Sequence, residues 1–171
     1  MRIIDGMLAE LEQEAETTRR VLQRIPQAHL SWKPHPKSMS LGQLALHVAT
    51  VPGLVAELAA KDRSEPSAFI QPEAKMAAEL EPALTDSVQR ARRALGGFDD
   101  DGMTAMWRLE RGGQTLLTMP RNAFVRAIML NHWYHHRGQL LVYLRLLDLP
   151  VPSVYGPTAD ENPFAEVAQA V

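Results

Sequence analysis

A chain of 171 residues that is 46% hydrophobic and 22% charged has the makeup of one folded domain with a real core, and is not that of a disordered, collagen-like or rod-like protein. Its 18 basic and 20 acidic side chains leave a formal net charge of −2, without the basic excess of a nucleic-acid binder or the basic stripe of a membrane-surface helix. With no cysteine, disulfides, thiolate zinc sites and a cysteine nucleophile are excluded, and any sulfur chemistry must arrive with a cosubstrate. Met1 to Arg20 mixes acids, bases and apolar residues and reads as no secretory leader, and no uninterrupted apolar run approaches a membrane span. The expectation is a cytoplasmic protein with all of residues 1–171 in a single domain.

The first helix is marked by Ile4, Leu8, Leu11, Ala15, Thr18, Leu22 and Ile25, stepping by three and four with charged residues between, and Pro26 is expected to end it. Gln27 to Met39 holds Pro34 and Pro36 and reads as an ordered loop. Ser40 followed by Gln43 is a capping box opening the second helix, whose stripe is Leu41, Leu44, Val48, Val51, Val55 and Leu58. Pro52 lacks an N–H and crowds the carbonyl of Val48, so a kink or early break is expected there. A polar linker, Lys61 to Pro72, follows.

The third helix falls between Glu73 and Leu95, with Met76, Leu80, Leu84, Val88, Ala91 and Leu95 inward and Gly96 and Gly97 as its stop. Asp99, Asp100 and Asp101 read as a solvated turn, since the spacing and closing Glu of a calcium loop are missing. Thr104 to Met119 alternates in a strand-like way around Arg111-Gly112-Gly113 and predicts a short hairpin. Pro120 suits the first turn of the last helix, about Arg121 to Leu147, which is apolar on so much of its surface that a central position is expected. The tail from Leu149 to Phe164 holds four prolines and no helix. The sum is an all-α fold: a four-helix bundle with a short β-hairpin insertion before the last helix.

Six histidines are present, and His132 and His136 stand one turn apart on one helical face, the spacing at which two imidazoles can share a metal. That pair alone is as well explained by two core histidines bonded to backbone or carboxylate. His47, between Leu44 and Val51, lies near the apolar stripe of the second helix, and three inward imidazoles would each need partners. One divalent ion would satisfy all three and keep an open position, as catalytic metal sites do. His135 points about 100° away from His136 and reads as a face or supporting histidine. Gln139 is a candidate hydrogen-bond donor behind the ligands, and Gly138 a point of close helix approach. Arg137 suits either an anionic substrate group or an acid on a neighbouring helix. Trp32 and Tyr155 either wall a pocket or pack down proline-rich loops. No Glu-x-x-His, His-Glu-x-x-His, Walker, dinucleotide-binding or nucleophile-elbow motif is present.

Four segments resemble the DinB/YfiT-like family of metal-dependent bundles, which is unrelated to the DNA polymerase of similar name. They are W-K-P-H-P-K-S-M-S-L-G-Q-L-A-L-H at 32–47, H-W-Y-H-H-R-G-Q-L at 132–140, V-Y-L-R at 142–145 and V-P-S-V-Y-G-P-T-A-D-E at 151–161. The resemblance implies a four-helix bundle, often a homodimer, holding one divalent metal on His47, His132 and His136. Zinc or nickel leads among the metals such a triad suits, with iron next. It further implies a small-molecule substrate and a low-molecular-weight thiol as cosubstrate, in a thiol S-transferase-like enzyme of detoxification or stress response. Metal-dependent hydrolysis, and a non-enzymatic stress-associated protein with a structural metal, are the alternatives.

Overall fold

The computed structural model describes residues 1–66 and 72–165, so the middle of the Lys61–Pro72 linker lies outside the described residues. Four long helices carry the fold. Helix α1 (Ile3–Leu22) ends four residues before Pro26, yet Ile25 continues its buried stripe from the following turn. Its start is fixed from outside: the Ile3 N–H donates to Asp100, and the Arg2 guanidinium reaches the carbonyls of Gly96 and Phe98.

Helix α2 (Leu41–Ala59) opens on the capping box expected of it: Ser40 Oγ accepts from the Gln43 N–H and Gln43 Oε1 accepts from the Ser40 N–H. By length and composition α2 could cross a membrane, but most of it is buried inside the bundle. Pro52 does not break it. The carbonyl that Pro52 leaves without its helical donor, that of Val48, accepts from Trp133 Nε1 at 2.7 Å. One residue on, the Gly53 N–H donates to Ser87 Oγ, which in turn donates to the Thr50 carbonyl. Helix α3 passes so close here that a Cβ on Gly53 would stand 2.8 Å from the Ser87 carbonyl oxygen. Close approach thus occurs at Gly53; at Gly138, where it was expected, a Cβ would meet open space. Leu58, at the end of the expected stripe, is exposed.

Helix α3 (Leu80–Leu95) is preceded by a 3₁₀ turn, Ala77–Glu79, and Met76 faces out rather than into the core. The helix therefore starts later than its apolar pattern suggests. The acidic triplet is a helix start, not a solvated turn: Asp99 accepts from the Gly102 N–H and caps α4 (Asp100–Thr104).

The hairpin is present, from β2 (Met106–Arg111) to β3 (Gln114–Pro120), turning on Gly112 and Gly113, both at positive φ. A two-residue strand in the linker, β1 (Arg63–Ser64), adds to β2 in parallel. Trp107 fastens the hairpin to the bundle, stacked on Phe124 and donating to the Leu58 carbonyl.

The last helix runs in three consecutive segments: α5 (Arg121–Phe124), a π-helical stretch Val125–Asn131, and α6 (His132–Leu146). Buried Arg121 anchors its start on the carbonyls of Ala59 and Gly102. It is less enclosed than its composition suggests: Trp133, Leu140 and Leu144 are in the core, but Val142 and Leu146 are each 57% exposed. The proline-rich tail holds to α6 through Asp160, which accepts from Arg145 and from the Val151 N–H.

Candidate metal centre

His47 of α2 and His132 and His136 of α6 converge in the groove between the two helices. The three rings pack edge to face, with centroids 5.4 Å (His47–His132), 4.6 Å (His47–His136) and 4.4 Å (His132–His136) apart. One ring nitrogen from each lies within 4.8 Å of the others. Nitrogens sharing one tetrahedral zinc stand about 3.3 Å apart, a spacing inside the observed range.

The hydrogen bonds fix which nitrogens face inward. Gln139 Nε2 can only donate, and it does so to His135 Nε2 at 3.1 Å. That orientation turns Gln139 Oε1 onto His136 Nδ1 at 2.8 Å, so Nδ1 carries the proton and His136 Nε2 keeps its lone pair. The Ile128 carbonyl, 3.3 Å from His132 Nδ1, selects the same tautomer in His132. The two remaining nitrogens, His132 Nε2 and His136 Nε2, face each other at 2.7 Å. Two lone pairs at that distance repel unless a proton or a cation lies between them. Burial opposes the proton: it holds the His132 and His136 imidazolium pKa values below the usual range. His47 is pulled down to about 4, by burial first and then by His136 and His132. The donor set is thus three neutral imidazoles, the state in which histidine binds divalent metal.

The other candidates fall outside this cluster. His135 is exposed and supports Gln139 from outside. Gln139 acts as an acceptor toward the site, not the donor expected of it. Trp32 packs edge-on against Tyr143 of α6, 5.6 Å between centroids. Tyr155 hydrogen-bonds to Arg137 and Glu14. Arg137 itself is the buried partner of Glu14, 2.6 Å away, and not part of the histidine groove. The roles of the Ile128 carbonyl and of Trp133 had no sequence signal of their own. Glu14 had one, since it sits three residues after Leu11 and four before Thr18 on the buried stripe of α1.

The sequence model of the DinB family matches residues 3–164. The chain belongs to the DinB family. A DinB-like protein from Bacillus cereus has a solved structure that is 27% identical, with a TM-score of 0.68 over 89% of this chain and 97% of that one. The DinB-like protein YjoA of Bacillus subtilis shares the fold at 21% identity and a TM-score of 0.67, over 87% and 97% of the two chains. YrdA of Bacillus subtilis, an uncharacterized protein, is 25% identical over 165 residues, or 92% of this chain and 91% of its own length.

Proposed function

We propose that this DinB-family chain binds one divalent metal ion, zinc or nickel before iron, on His47, His132 and His136, and that it is an enzyme using a small thiol. The observation that carries the metal reading is the 2.7 Å approach of two Nε2 lone pairs beside a third imidazole, in a half-buried setting that resists protonation. A divalent ion held there supplies a Lewis acid that makes a water or a small thiol nucleophilic near neutral pH. The chain's own residues prepare for it. Gln139 Oε1 and the Ile128 carbonyl hold the Nδ1 protons of His136 and His132, which keeps both Nε2 lone pairs available. Leu44 and Val48, three residues before and one after His47, and Met129, three before His132, are fully buried, so both ligand-bearing helices run on into the core beside the rings.

The thiol is the finer part of this reading. It is supported by the absence of any cysteine, which leaves sulfur chemistry to a cosubstrate, and by the resemblance noted above. A cytoplasmic homodimer acting on a small molecule, with no nucleic-acid or membrane partner, completes the reading. Elemental analysis after reconstitution with zinc, nickel or iron tests the core of it. One ion per chain is the expected stoichiometry, and a value near zero overturns the metal site.

A further inference from the structure

Two irregularities in the helical framework meet beside the histidine cluster. In α2, Pro52 deprives the Val48 carbonyl of its helical partner. In the last helix, the π-helical stretch Val125–Asn131 ends at the residue before His132. A π turn holds an extra residue relative to an α turn, so it resets the direction of every side chain that follows. What joins the two is the fully buried Trp133, whose Nε1 donates to the Val48 carbonyl at 2.7 Å. Each end of this bond is one residue from a member of the triad: Val48 follows His47, and Trp133 follows His132.

We propose that Trp133 is the positioning residue of the triad, its indole N–H on the carbonyl opened by Pro52 setting the register of the His132/His136 helix against the His47 helix. The proposal rests on the metal reading above. In a continuous α-helix the Val48 carbonyl would be occupied along the helix axis and turned less freely toward a neighbour. With proline at position 52 the carbonyl needs a donor from outside, and a buried indole N–H needs an acceptor. Each satisfies the other at one relative position of the two helices. The rest of the proline defect is engaged on the opposite side, where the Gly53 N–H and Thr50 carbonyl both bond Ser87 Oγ of α3. Helix α2 is therefore held from α3, and α6 is registered on α2. Ligand-bearing side chains depend on such supporting bonds for their aim.

The test compares the wild-type chain with Trp133→Phe, Pro52→Ala and the double variant, following cobalt(II) affinity, the cobalt d–d spectrum and thermal unfolding. Trp133→Phe, which keeps the ring but loses the donor, is expected to lower cobalt affinity about tenfold and change the spectrum. Pro52→Ala keeps the tryptophan and restores a helical donor; it is expected to raise Tm while lowering affinity severalfold. In the double variant the new N–H satisfies Val48, so Tm should recover relative to Trp133→Phe while affinity stays low. Wild-type affinity and spectrum in Trp133→Phe overturn the proposal, as does a double variant that recovers both stability and affinity. If Trp133→Phe does not fold, Pro52→Ala decides, and unchanged affinity there overturns it. A wild-type chain that binds no cobalt overturns the metal reading and this proposal together, whereas wild-type binding with unaltered variants overturns this proposal alone.

Discussion

Arg137 and Glu14 form an ion pair of 2.6 Å inside the bundle, with side chains 2% and 11% exposed. Arg137 also donates to the Glu14 carbonyl and to Thr18 Oγ1, while Tyr155 accepts from Arg137 and donates to Glu14. The guanidinium is thus spent on α1 and the tail, which leaves it unsuited to gripping a substrate anion. This pair ties α1 to α6, as Trp133 ties α2 to α6.

Removing one partner leaves the other charge buried and uncompensated, a loss of roughly 3–5 kcal/mol. Arg137→Ala is therefore expected to lower the urea midpoint sharply, and Arg137→Met combined with Glu14→Leu to cost much less than the single change. Metal content per folded chain should not change in either. A single variant within about 0.5 kcal/mol of wild type would show the pair to be of no structural consequence.

The histidines divide by geometry. Alanine at His47, His132 or His136 should remove most of the bound metal, because each offers one of the three clustered nitrogens. Alanine at His135 should leave the metal in place, with at most a modest loss of affinity through Gln139. Equal metal loss from His135→Ala and His136→Ala, read by elemental analysis, would refute this assignment.

Acid should destabilise the metal-free chain in a defined window. His47 binds its proton with a pKa of about 4 when folded, against 6.5 ordinarily, and His132 and His136 shift in the same direction. Between those values the unfolded chain holds more protons than the folded one, so stability falls as pH drops from about 6.5 toward about 4 and gains nothing above that range. Urea unfolding of wild type and His47→Gln across pH 7.5 to 4.5 checks this. The variant should show a shallower dependence; identical slopes would count against it.

The thiol and the hydrolase readings separate on a spectrum. A free thiol has a pKa near ~8.5 and is only a few per cent thiolate at pH 7, whereas three neutral imidazoles leave a divalent ion its full charge to attract an anion. Titrating the cobalt form with bacillithiol, mycothiol or glutathione should raise a sulfur-to-cobalt charge-transfer band, absent in His47→Ala. If no thiol perturbs the spectrum while acetate does, hydrolysis becomes the better reading.

Much of the fold was legible because the relevant forces act over a few residues. The stripe of α1, the Ser40–Gln43 box and the paired glycines of the hairpin are local patterns with local consequences. So is the pairing of His132 with His136, which follows from helical spacing alone. Asp99 as a cap is equally local, though an acidic run of three has the same pattern as a solvated turn.

What the chain by itself determined, then, was the four long helices, the hairpin and the three histidines that the fold brings together. Tertiary structure alone decided the partners. The carbonyl that Pro52 opens is satisfied by Trp133, 81 positions away from the proline in sequence. Whether Arg137 binds a ligand or an acid depends on Glu14 of α1 lying against it. Met76 faces solvent because α3 begins at Leu80, and β1 exists because β2 lies beside it. The physical reason is common to all of these: a buried polar group must be satisfied, but any suitably placed segment can satisfy it, so its partner is chosen by packing and not by neighbours in sequence.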